Sequence, residues 1–89
     1  MTATKWTKGD RVKLTTTTAG PELLEIVGFI RRPSGTQYVV LACPATAAHI
    51  RAGETDARTV VITGLGGRVR EVETQRFHRL ADRGLAVHA

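Results

Sequence analysis

The chain has 89 residues, 42% hydrophobic and 24% charged, with a net charge of +5. That is enough chain for one domain and too apolar for intrinsic disorder, but a chain this short removes only about 60 to 65 per cent of its unfolded surface from water, so the core must be small. Cys43 is the only cysteine, which excludes an intramolecular disulfide framework, and no apolar run approaches the ~20 residues of a membrane span.

Residues 1–8, MTATKWTK, read as a basic arm without the apolar core of a signal peptide, which fits a cytoplasmic setting. From Asp10 to Leu14, Val12 and Leu14 alternate with Arg11 and Lys13, the period-2 pattern of a strand with one wet face. The threonine tract that follows prolongs this strand or forms a loop before Gly20 and Pro21 break it. ELLEIVGFIR, residues 22–31, is apolar in both phases. Helical periodicity alone would allow a helix, but the β-branched and aromatic content and the turn that follows favour a strand, with Gly28 marking a bulge or bend.

Arg32, Pro33, Ser34 and Gly35 fit a type I turn, with proline pre-setting φ and glycine accepting a left-handed conformation. The return strand TQYVVLAC stops at Pro44. Residues 44–58 have two readings: a short helix around 45–52, started by Pro44 and stopped by Gly53, or a long mobile loop. TVVIT, residues 59–63, reads as a strand joined through GLGG to RVREVE, residues 68–73, as a second hairpin. Phe77, Leu80 and Ala81 recur at helical spacing, predicting a short helix over 74–84 with Gly84 as its left-handed stop and a Leu80–Leu85 contact; residues 85–89 read as a frayed tail.

The expected fold is a single domain over 1–89: mainly β, a small five-stranded antiparallel barrel with its strands across 10–73, an insertion at 44–58 and a short C-terminal helix. An α+β fold with the extra helix is the alternative. In its order of parts, KGDRVKL, GFIRRPSGTQYVVL and RVREVETQRFHRL, the chain resembles the SH3-like barrels, including the KOW and Tudor-type modules, over roughly residues 8–80. The resemblance implies terminal strands that lie close together. It does not bring the aromatic cage of Tudor-type domains, since only Trp6, Phe29, Tyr38 and Phe77 are aromatic.

No stretch carries a catalytic signature, and neither a cofactor nor a metal site is expected. Cys43 and His49 lack a visible base and oxyanion nest, His49, His78 and His88 occur singly, and GLGG is followed by no lysine-serine pair. The basic residues are the candidates. Arg11 and Lys13 share one phase of the first strand and Arg68 and Arg70 one phase of the last, so paired terminal strands would merge them into one phosphate-binding face. Lys5 and Lys8 of the arm and Arg76 and Arg79 of the helix would extend it. Arg31 and Arg32 at the hairpin tip would discourage edge pairing and could reach a phosphate. Trp6 would anchor a partner or close the end of the barrel. The expected function is a non-enzymatic module that binds DNA, RNA or a protein of a nucleic-acid-processing complex; the alternative is a protein adaptor or regulator docking by a strand edge or loop.

Overall fold

A computed structural model describes residues 6–15, 20–63 and 69–89. Among these, strands β1 (Arg11–Leu14), β2 (Glu22–Arg31), β3 (Gln37–Ala42), β4 (Val69–Glu73) and β5 (Ala86–His88) form one antiparallel sheet in the order β4-β3-β2-β1-β5. Helices α1 (Pro44–Arg51) and α2 (Ala57–Thr63) lie between β3 and β4, and α3 (Thr74–Asp82) lies between β4 and β5. The first four strands meander, and the last returns to the side of the first.

Two apolar clusters, one on each face of the sheet, hold these parts together. Val12, Leu14, Leu24, Ile26, Val39, Leu41 and Ala86 point to the inner face, where Phe77 of α3 is fully buried among them. On the outer face Val27, Val40 and Ala42 pack with Ala47 of α1, and Ala57 and Val61 of α2 close over them. Apolar residues in both phases of β2 are thereby explained: the middle of the sheet is covered on both sides, and each fully buried aliphatic side chain stabilises by about 1.5–3 kcal/mol.

Gly28 does mark a bulge. The register of β2 on β3 shifts between Ile26, opposite Leu41, and Gly28, opposite Val40, leaving Val27 as the extra residue. A Cβ on Gly28 would come within 3.0 Å of the Ala57 Cβ, so the missing side chain lets α2 settle directly on the strand. The 32–35 turn also forms as expected: the Gly35 N–H donates to the Arg32 carbonyl at 2.8 Å, and Gly35 has φ 92°.

For residues 44–58 the structure decides for the helix. Pro44 opens α1, and Gly53, at φ 79°, closes it with the Gly53 N–H on the Ile50 carbonyl and the Glu54 N–H on the His49 carbonyl, a Schellman end. α3 ends the same way, with Gly84 (φ 76°) bonded to Ala81 and Leu85 to Leu80.

Two expectations are corrected. Residues 59–63 are not a strand: Asp56 accepts the Thr59 N–H on Oδ1 at 2.8 Å, a helix-start bond, and the buried Val60 with Val61 faces the sheet as part of α2. The expected second hairpin is therefore absent, and β4 pairs with β3 instead; its GLGG turn lies outside the described residues. The tail is not frayed either. Ala86–His88 form β5, paired with Val12–Leu14, because the turn at Gly84 aims the chain back along β1.

Candidate functional site

The sheet's phases decide where each cation goes. Val12 and Leu14 face inward, so Arg11 and Lys13 of β1 face outward; Lys13 stands between Leu23 of β2 and Val87 of β5, both exposed, and Arg11 stands opposite Glu25. Arg70 is opposite the inward-facing Leu41, so it belongs to the other face. It bonds Glu22 at the start of β2, with Nη2 and Nε at 2.9 and 3.2 Å from Oε1. Arg11 and Lys13 thus face away from Arg70, with β2 and β3 between their strands, and the expected single basic face does not form. The paired terminal strands are β1 and β5, and β5 brings no arginine. Lys5 and Arg68 lie outside the described residues.

The Arg70–Glu22 pair joins β4 to β2 across β3. Leu14, at the end of β1, lines the same cleft as Tyr38, Arg70, Glu71, Val72 and Glu73 and, from α3, Arg76 and Leu80. Arg76 therefore does join Arg70. Beyond it, Arg79 of α3 and Arg83, the residue that caps its C-terminal end in a right-handed conformation, follow at helical spacing, so three arginines share one stripe over about 10 Å of helix axis. None has a carboxylate within 4.0 Å among the described residues. Sequence reasoning missed Arg83, although its spacing from Arg76 and Arg79 was visible.

At the hairpin tip the two arginines differ. Arg32 holds both oxygens of Glu71, at 2.5 and 2.6 Å, and its guanidinium carbon lies 5.5 Å from the centre of the Tyr38 ring, so it fastens β4 to the hairpin. Arg31 is exposed, with no carboxylate within 4.0 Å among the described residues, and lines a cleft of about 490 Å3 with Pro33, Arg58, Val61 and Ile62. Sequence reasoning also missed Arg58, because the segment after it read as a strand rather than a helix. Lys8 stays exposed in the turn before β1.

Trp6 closes the end of the sheet. Its ring stacks on His88 at 3.9 Å and 13° and meets Phe77 edge-on at 5.0 Å, against the inner core. His88 Nε2 in turn lies 3.2 Å from Asp10 Oδ2. The Asp10 carboxyl is held below its ordinary pKa chiefly by the Thr7 backbone N–H, with partial burial opposing and His88 assisting. Asp56 is likewise lowered, chiefly by the Thr59 backbone N–H.

Elsewhere, Cys43 Sγ lies 3.3 Å from Thr46 Oγ1 at the start of α1, and His49 Nδ1 is 2.5 Å from Glu54 Oε1 across the end of that helix. Both contacts tie α1 together locally. Among the described residues no helix is long and apolar enough to cross a membrane. No protein family, curated protein or solved structure matches this chain.

Proposed function

We propose that this chain is a non-enzymatic module that binds nucleic acid, free or within a nucleoprotein complex, by laying the arginine stripe of α3 along a phosphate backbone. The observation that carries the reading is that Arg76, Arg79 and Arg83 share one stripe with no carboxylate within 4.0 Å among the described residues, while Arg70, Arg32 and Arg51 are each held by a glutamate. Guanidinium groups spaced along a helix suit phosphate oxygens, and such contacts give affinity without reading sequence. A strand order in which the last strand lies beside the first supports the resemblance to SH3-like barrels. Arg11, Lys13 and Lys8 act as a separate, weaker contact on another side. The proposal has the module act in the cytoplasm.

The test is fluorescence anisotropy with labelled duplex DNA and duplex RNA over a salt series. Three phosphate contacts give a slope of about −2.7 in log K against log salt, so affinity falls about 40-fold between about 50 and 200 mM salt. Replacing Arg76, Arg79 and Arg83 together by alanine removes that slope without altering sequence preference. No binding at low salt, or binding that salt leaves unchanged, overturns the proposal.

A further inference from the structure

We propose that the cleft between the β2–β3 hairpin tip and α2 is a docking site for an acidic segment of a protein partner that carries an apolar anchor, a surface independent of the α3 stripe. Ile30 and Pro33 of the hairpin and Val61 and Ile62 of α2 line it together with Arg31, Arg32 and Arg58, and Arg31 also lines a second pocket beside Gln37 and Glu73. Ile62 is 76% exposed, more than any other large hydrophobic side chain described, although the same helix buries Val60 completely enough to hold α2 in place. An isoleucine so exposed beside three other apolar side chains offers an anchor site that water covers poorly.

Charge names the occupant. Arg32, which also lines the cleft, is neutralised by Glu71, but Arg31 and Arg58 have no carboxylate within 4.0 Å among the described residues. Asp56, the acidic residue nearest Arg58 in sequence, accepts the backbone N–H of Thr59 and keeps its charge, which attracts Arg58 without forming an ion pair within 4.0 Å. The lining therefore joins four apolar side chains to arginines and no carboxylate, which complements a segment whose carboxylates flank a leucine or similar side chain. A nucleic acid fits less well. The cleft has no aromatic lining on which a base could stack, and phosphates on Arg31 and Arg58 would leave Ile62 and Val61 wet.

Both sides are built before any partner arrives. The hairpin tip is fixed by the Gly35-to-Arg32 bond and by the Arg32 N–H on the Thr36 carbonyl at 2.9 Å, and α2 is fixed by its start at Asp56 and its seat over Gly28. The partner then meets a preformed surface, which keeps the ordering cost on this side small.

The experiment titrates the 15N-labelled full chain with a short peptide of Asp and Glu around two central leucines, followed by backbone amide shifts and by anisotropy. A second peptide has Asn and Gln in place of the acids, and a duplex oligonucleotide is the third probe. The expected result is acidic-peptide shifts confined to residues 30–33 and 58–62, saturable binding of the acidic but not the neutral peptide, oligonucleotide shifts outside these residues, and a loss of at least about tenfold in peptide affinity with Ile62→Ser. Arg31→Glu with Arg58→Glu abolishes binding and serves as the second variant; circular dichroism confirms that each stays folded. Three results overturn the proposal: no binding of the acidic peptide, equal affinity for the neutral peptide, or shifts at this cleft with the oligonucleotide instead.

Discussion

Replacing Arg51 by alanine tests how the outer layer is attached, because α1 is joined to the sheet by one ion pair whose halves are unequally wet. Glu25 stands on β2 opposite Arg11 and Ala42, and its side chain is only 8% exposed under α1; Arg51, in the last turn of that helix, is 55% exposed. Removing the arginine leaves a carboxylate that water reaches poorly and that has no other cation within 4.0 Å among the described residues. Breaking a fully buried pair costs about 3–5 kcal/mol, and an exposed pair contributes at most about 1. With one partner buried and the other half in water, about 2 kcal/mol is expected, a substantial share of the roughly 5–13 kcal/mol available to a domain of this size. Urea denaturation followed by tryptophan fluorescence should show the midpoint fall by about 1–2 M at unchanged slope. Glu25→Gln keeps the shape and removes the buried charge, so it should cost less, and adding Arg51→Ala to it should cost little more. If Arg51→Ala costs less than about 0.5 kcal/mol, or costs as much in the Glu25→Gln background as alone, the helix is held by its apolar contacts and this reasoning fails.

Gly84→Ala places a side chain at φ 76° in open space, so the loss is backbone strain alone, about 1 kcal/mol, and melting should fall by about 4–8 °C with the fold intact. Asp10 is more acidic in the folded chain than unfolded, chiefly through the Thr7 N–H, so its carboxylate adds stability above the unfolded pKa, and that contribution is lost as pH falls through the folded pKa. Asp10→Asn should therefore lower the urea midpoint at pH 6 and leave a gap to the parent chain that narrows as pH falls below about 4; a gap that widens in acid would refute the assignment.

What the sequence showed clearly was local. Alternation in Arg11–Leu14, the Pro33–Gly35 turn, the bulge at Gly28 and the Leu80–Gly84–Leu85 stop each depend on residues within one turn or one strand pair, and each is present. TVVIT misled because β-branched residues favour strands, on a scale that spans roughly 1 kcal/mol per position, while a start at Asp56, the burial of Val60 and the partial burial of Val61 outweigh it. The deciding signal was present in β2 and β3 themselves. Strands apolar in both phases need a second covering layer, so the chain after β3 had to supply helices, not another strand. β5 was hidden for a different reason: three residues carry too little pattern, and their pairing with β1 depends on a turn that redirects the chain.

The cations show why charge read along a chain says less about a surface than charge read across a sheet. Arg32 meets Glu71 39 residues away, Arg51 meets Glu25 26 away, and Arg70 meets Glu22 48 away. None of these partners is visible from spacing, and each removes an arginine from the pool that could meet an anion. Among the described residues, the lysines and arginines with no carboxylate within 4.0 Å are thereby left at Lys8 in the turn before β1, on the outward side of β1, at the cleft of Arg31 and Arg58, and along the stripe of α3. Long-range attraction of a polyanion sums over all of them and fades with salt on a Debye length of about 8–10 Å, but a contact surface needs cations that share one side. Among the described residues, α3 and its C-cap set three together, and the cleft sets two beside the most exposed large apolar side chain, Ile62. If the molecule binds both a nucleic acid and an acidic protein segment, the two should therefore bind at once: Arg76, Arg79 and Arg83 do not line the hairpin cleft, and although Arg31 also lines a pocket with Thr74 and Gln75 at the start of α3, neither ligand should displace the other beyond what charge screening accounts for.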